Sequence, residues 1–202
     1  MATFPDFQNE LHYPDFDGLP FEYCQDTRYY SENGVPTTHW CFLSEIQTNV
    51  PFFPNQFYVK DKNGSEYLVA FHLKDRARYP AVGVKCKDGH TMCIMYPQKH
   101  LFLDGQLGVR VENERTVKIL PCSLNELFNI RDKVKNNIGL CNLCGGIATL
   151  KCSRCKMFYC NKTCQVADWK SIHKTECNVV QQIVKWGVLD WDHFDGAELF
   201  GT

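Results

Sequence analysis

Apolar and polar positions follow three successive regimes along the chain. In residues 1–56 no period is sustained, because Pro5, Pro14, Pro20, Pro36, Pro51 and Pro54 interrupt a series of aromatic residues. This pattern reads as an irregular arm with short elements, laid across a sheet through Phe4, Phe7, Phe16, Phe21, Tyr29 and Tyr30. Residues 57–140 change to short β-rich runs separated by turns. Phe57 to Lys60 and Glu66 to Leu73 flank Asp61-Lys62-Asn63-Gly64, a hairpin turn in which Asn-Gly supplies positive φ. Ala81 to Cys86 and Thr91 to Tyr96 flank Lys87-Asp88-Gly89-His90 as a second hairpin, and Gly108 to Glu112 and Thr116 to Leu120 predict a third. Six short strands joined by hairpins predict a curled antiparallel sheet or small barrel, since closure or coverage hides the edges.

Helical period appears late. Ser123 with Glu126 has the form of a capping box, and Leu124, Leu127, Ile130, Val134 and Ile138 recur at roughly helical spacing, so a helix over about Leu124 to Lys135 closes the first domain. Val179, Val180, Ile183, Val184 and Trp186 predict another helix with Gly187 as its stop, followed by an acidic, aromatic tail. The expected organisation is therefore an α+β chain: an arm over 1–56, an antiparallel β domain with a closing helix over 57–140, a small metal-binding module over 141–177, and a helix with tail over 178–202.

Charge sharpens these boundaries. The formal net charge is only −1, but residues 1–58 hold eight acidic side chains against Arg28 alone, and residues 141–177 hold six basic against two acidic. Residues 178–202 hold four acidic against one basic. The tail is expected to fold back across the basic module. A nucleic-acid binder would show a denser basic stripe, so binding of a single strand through barrel and module is a minor alternative. No stretch approaches eighteen apolar residues, which excludes a membrane-spanning helix, and the first ten residues lack the basic start of a secretory signal. The expected setting is intracellular, nucleus or cytoplasm.

Twelve cysteines are unevenly spread, with seven between Cys141 and Cys177. In a reducing compartment that clustering argues for metal and not for disulfides. The order is Cys141-x2-Cys144, Cys152-x2-Cys155, Cys160-x3-Cys164 and His173-x3-Cys177, eight ligands in four pairs for two tetrahedral zinc sites. A two-residue gap lets a tight knuckle aim both thiolates at one ion, and a three-residue gap places two ligands one helical turn apart. An iron–sulfur cluster would use four ligands and suits His173 less well. With all positions taken by strong ligands the sites are closed, so the zinc is structural. Cys86, Cys93 and Cys122 are expected to be small buried hydrophobes.

Residues 141–177 resemble the MYND-type zinc fingers, through Tyr159-Cys160-Asn161, Cys164-Gln165, Asp168-Trp169 and His173-Lys174 in their usual order. The resemblance implies an interleaved pattern, with Cys141, Cys144, Cys160 and Cys164 on one ion and Cys152, Cys155, His173 and Cys177 on the other. The eight residues between Cys164 and His173 are one more than the commonest family spacing, as if Ser171 or Ile172 were inserted. The resemblance also implies binding of short proline-containing peptides of a partner protein, at Gln165 and Trp169 with Ala148, Thr149 and Ser153 nearby. An indole offers a rigid wall to a proline ring, and a glutamine amide pairs with an extended backbone.

The expected function is thus a non-catalytic protein-interaction adaptor. The enzyme alternative rests on the occurrence of such fingers in protein lysine methyltransferases. The asparagine-histidine-serine-cysteine stretch and glycine-rich cofactor segment expected there are missing, as are a nucleotide loop, a Gly-x-Ser-x-Gly elbow and a His-Glu-x-x-His helix. His90, His100 and Asp104 are the residues on which a polar site of the β domain would draw.

Overall fold

The computed structural model describes residues 4–50 and 55–200; Pro51 and Pro54, expected to break the arm, lie outside them. The chain divides into two compact units, one of Asp6–Leu124 with the tail from Asp190, the other of Asn125–Leu189 with Phe4 and Pro5.

In the first unit seven strands form one sheet: β1 (Cys41–Asn49), β2 (Gln56–Asp61), β3 (Glu66–Phe71), β4 (Thr91–Met95), β5 (Lys99–Leu101), β6 (Leu107–Val111) and β7 (Val117–Leu120). Their spatial order is β5-β6-β3-β2-β1-β4-β7, and every neighbouring pair is antiparallel except β3 with β6. The sheet is curled by necessity. Five strand spacings separate β6 from β7, about 24 Å in a flat sheet, yet the connection from Val111 to Val117 reaches only about 21 Å when fully extended.

The first hairpin forms as predicted, with Gly64 at φ 85° and Tyr58 opposite Leu68. Three expectations are corrected. Ala81 to Cys86 is not a strand: α1 (Tyr79–Lys85) occupies it, started by Pro80 in the first turn, where a missing N–H costs nothing. Residues 108–120 are not a hairpin, because Asn113 accepts the Arg115 N–H and starts a 3₁₀ turn that sends β7 to β4 while β6 runs beside β3. β1 lies inside the stretch expected to be an irregular arm; Cys41, Phe42, Leu43 and Ser44 are all buried, so both faces are covered and the strand shows no alternation.

The core gathers Trp40, Phe42, Ile46, Phe57, Val69, Phe71, Ile94 and Val109. The arm adds Phe16, Leu19 and Tyr29 to it, whereas Phe21 remains 43 % exposed. Asp61 fastens the arm to the first hairpin: its buried carboxylate accepts the N–H groups of Asn63, Ser65 and Phe16. Lys62 donates to the Tyr13 carbonyl at 2.7 Å. A Cβ on Gly108 would collide with the Leu68 carbonyl oxygen, so the parallel β3–β6 contact requires glycine there.

The tail belongs to this unit, contrary to the expectation that it crosses the finger. Thr38 donates to the Trp191 carbonyl, Phe194 N–H bonds Thr37 and Phe200 N–H bonds Arg115. Trp191 is buried with its ring 4.6 Å from that of Tyr13. Aromatic burial holds the tail here, and Asp192 and Asp195 lie against His12 and His39 of the same unit at 3.1 and 3.7 Å.

The second unit begins with α2 (Leu124–Asn136), a helix predicted over this range but expected to close the first domain, with Leu127 and Ile130 buried. A two-stranded ribbon follows, β8 (Leu150–Lys151) with β9 (Phe158–Tyr159), then α3 (Lys162–Asp168) and α4 (Lys174–Val188). Gly187 does not stop α4 but lies buried within it. Between α3 and α4 the helix continues as one π turn, Trp169–His173.

Candidate metal centre

The two knuckles are built alike, residue for residue. In the first, Cys141 N–H bonds the Gly146 carbonyl and Gly145 N–H bonds back to Cys141; in the second, Cys152 N–H bonds Met157 and Lys156 N–H bonds back to Cys152. The turn requires positive φ four residues after the leading cysteine, and Gly145 at 74° and Lys156 at 64° provide it. Glycine does this freely; Lys156 does it against the usual penalty for a side chain in the left-handed region, about 1 kcal/mol.

The same turns aim N–H groups at the leading sulfurs. Burial raises the Cys141 thiol, but the amides of Cys144, Cys160 and Leu143 outweigh it and bring the group down to about 6. Burial likewise opposes ionisation of Cys152, and the Cys155 amide, His173 and the Arg154 amide bring it down to about 6. Each leading cysteine therefore favours the thiolate, the form that binds metal, whereas burial, with the charges of Cys152 and Cys177, holds the Cys155 thiol well above its usual range.

The helical half closes both sites. Asn161 caps α3 by accepting the Cys164 N–H at 2.9 Å, which holds Cys164 in the first turn beside Cys160. His173 and Cys177 stand one turn apart at the start of α4. All eight predicted ligands come together in two groups, Cys141, Cys144, Cys160 and Cys164 in one, and Cys152, Cys155, His173 and Cys177 in the other, with ligand atoms within 4.8 Å of one another. The second group is wholly buried and the first reaches the surface.

Sulfur separations test the metal. Cys160 Sγ lies 3.4 Å from Cys164 and 3.6 Å from Cys144, and Cys144 lies 4.0 Å from Cys164. A tetrahedral zinc with bonds of about 2.3 Å needs edges of about 3.8 Å. Cys155 Sγ to His173 Nε2 is 3.3 Å, near the roughly 3.6 Å edge for sulfur and nitrogen. The residues fit two four-coordinate zinc ions, which would cross-link the knuckles to the helices and leave no coordination place for substrate.

Two residues that the motif contains, but to which the sequence assigned no role, turn out to hold the module together. Asp168 is 2 % exposed, and its carboxylate accepts from Asn142 and from the Tyr159 hydroxyl, each at 2.7 Å. Burial first, then the bond to Asp168, pushes the Tyr159 phenol well above its usual range. First knuckle, ribbon and helix thus meet at one carboxylate. The extra residue between Cys164 and His173 is absorbed by the π turn, as such single-turn bulges do. Gln165 and Trp169 are both half-buried and four apart. The Gln165 side-chain oxygen accepts from Lys162 at 3.2 Å, and the Trp169 ring meets His173 edge to face at 5.8 Å. Ala148 is half-buried, and Thr149 and Ser153 are exposed.

Elsewhere the chemistry is quiet. Cys86, Cys93 and Cys122 are buried, as expected, and burial lifts the Cys86 thiol to about 12 and Cys93 well above the usual range. His100 pairs with Glu22 at 2.6 Å, while His90 and Asp104 join no cluster of three or more metal-binding side chains among the described residues.

Four ligand pairs interleaved on two closed tetrahedral sites define a cross-braced zinc finger. Its kind is that of the MYND finger, whose family model matches residues 141–177. The chain is 48 % identical over 73 residues to ubiquitin carboxyl-terminal hydrolase 19 of Arabidopsis thaliana, 36 % of this chain and 11 % of that protein. It is 40 % identical over 52 residues to programmed cell death protein 2 of Mus musculus, 25 % of this chain and 15 % of that protein. Tudor domain-containing protein 1 of Mus musculus is 49 % identical over 43 residues, 21 % of this chain and 4 % of that protein. The matches thus span between 4 and 15 % of these relatives. Among solved structures, the crystal structure of the S. pombe Stn1-ten1 complex superposes at a TM-score of 0.33, with 13 % identity over 59 % of this chain and 85 % of that one.

Proposed function

We infer that this chain is a protein-interaction adaptor whose zinc-braced finger binds short proline-containing segments of a partner, without catalysis. The observation that carries this reading is the pair Gln165 and Trp169. They lie four positions apart, on a helical stretch anchored by Cys164 at one end and His173 at the other, and neither is fully buried. Lys162 occupies the Gln165 oxygen and leaves its amide N–H groups for a carbonyl of an extended peptide. The half-buried indole supplies an apolar wall at little cost in conformational entropy. The closed ligand sets support a structural and not a catalytic metal. No helix among the described residues is long and apolar enough to cross a membrane. The chain works in the nucleus or cytoplasm, where twelve cysteines without a disulfide are stable.

Display selection of an unbiased peptide library on the zinc-loaded chain tests the reading, with Trp169→Ala as its control. Proline-containing sequences are expected to enrich on the unaltered chain and to disappear on the variant. Equal enrichment on both would reject the site.

A further inference from the structure

The finger's surface charge has one sign. Of the two acidic residues between Cys141 and Cys177, Asp168 is buried and bonded to Asn142 and Tyr159, and Glu176 is held against Lys133 at 3.4 Å. The six basic residues of this stretch, Lys151, Arg154, Lys156, Lys162, Lys170 and Lys174, are all exposed.

An apolar surface accompanies it. Leu143 is 46 % exposed, Ile147 83 % and Val166 39 %, too much for ordinary core residues in so small a module. Leu143 and Val166 stem from backbone that the four-cysteine site draws together, and Ile147 follows the first knuckle in an isolated bridge with Leu140. Leu143 precedes Cys144, and Gln165 and Val166 follow Cys164, whose sulfur is 4.0 Å from that of Cys144. Lys162 stands in the same helical turn as Cys164 and touches Gln165. A segment that pairs its backbone with Gln165 and seats an apolar side chain on this surface therefore passes a placed ammonium group, with no exposed carboxylate of the finger to offset it.

We propose that the partner segment is acidic as well as apolar: its apolar anchor covers Leu143, Ile147 and Val166, and a carboxylate beside the anchor meets Lys162. This rests on the peptide-binding reading and adds the partner's chemistry. The charges exclude basic segments by repulsion as much as they attract acidic ones. Because they are solvated, their contribution is modest, speeds association and fades with salt.

The test uses the full zinc-loaded chain and two fluorescein-labelled peptides that share a Leu-Pro-Leu centre, one flanked by glutamates and the other by glutamines. By fluorescence anisotropy at low salt the glutamate peptide is expected to bind about two- to fivefold tighter, the scale of a solvated ion pair, and the gap is expected to close at high salt. Lys162→Gln also frees the Gln165 oxygen and so affects both peptides; with zinc content measured to show an intact finger, it is expected to remove most of the gap between them, read as the ratio of the two affinities. Equal affinities for the two peptides would overturn the acidic preference and leave the peptide-binding reading standing. A gap that survives Lys162→Gln would overturn the role of Lys162. If neither peptide binds, and Trp169→Ala changes nothing, both readings fall.

Discussion

Asp168 shows how much of a small finger rests on one side chain. It sits where a knuckle, a ribbon and a helix meet, and its removal leaves the Tyr159 hydroxyl and the Asn142 amide without their acceptor. Each lost partner of a buried polar group costs about 1–3 kcal/mol. Asp168→Ala is therefore expected to weaken zinc retention in a competition titration against a chelating dye, with all eight ligands still present. An unchanged titration would show that the ligands alone determine the fold. Lys156 carries the opposite prediction. Its left-handed backbone matches that of Gly145 in the other knuckle, so Lys156→Gly is expected to stabilise the finger by up to about 1 kcal/mol in thermal unfolding, whereas Gly145→Val costs at least as much. The ligands and the family motif were legible in the sequence because metal chemistry restricts which residues can serve. The roles of Asp168 and Lys156 were not, since a bond between Tyr159 and Asp168 and the sign of φ at a lysine leave no mark in spacing.

At the scale of elements, the sequence spoke where turn chemistry is specific and failed where burial has two sides. Asn63-Gly64 announced β2 and β3 because glycine at φ 85° has few other uses there. Ala81 to Cys86 reads as a strand, since Val82 and Val84 suit one, and the decisive signal is Pro80 at the first turn of the helix Tyr79–Lys85. β1 went unseen for a different reason. Coverage of both faces erased the alternation by which a half-buried strand is recognised. β6 and β7 looked like a hairpin because they are near in sequence; the Asn113 turn and the room made by Gly108 beside Leu68 send them to different partners. The π turn offers a direct test at this scale. It takes up one residue between Cys164 and His173, so deletion of Ser171 is expected to convert it to α-helix and keep two zinc ions per chain by elemental analysis. Loss of one ion would show that the bulge itself orients His173 and Cys177.

For the whole molecule, the chain leaves the β unit after Leu124 and returns to it at Asp190, so the finger is an insertion within a unit that its own tail completes. Chelation is expected to unfold the finger and leave the β unit intact, seen as a separate, chelator-insensitive thermal transition. The β unit should respond instead to acid. Burial lowers His12 and His39 below 6.5, although Asp192 beside His12 and Asp195 beside His39 pull the other way. The neighbours of His12 also include Asp190 and His39, and those of His39 include Glu198 and the Tyr96 hydroxyl at 2.6 Å. Below pH 6.5 the unfolded chain takes up protons at these histidines that the folded chain refuses. Stability is thus level above about pH 6.5 and declines as the pH falls toward the lowered values. Denaturant midpoints from about pH 7.5 to about pH 5.5, one unit on either side of the free histidine value, should decline for the chelated chain and stay flatter for His12→Gln with His39→Gln.

The central claim is that a partner segment lies on Trp169. The chain has four tryptophans, and Trp40, Trp186 and Trp191 are buried while Trp169 is not. Indole proton–nitrogen resonances recorded during titration with a selected proline-containing peptide address the claim most directly. The account predicts that the Trp169 resonance, assigned by its loss in Trp169→Phe, moves with saturation while the other three hold still. Movement of Trp40 or Trp191 with Trp169 unmoved would place binding on the β unit and contradict it.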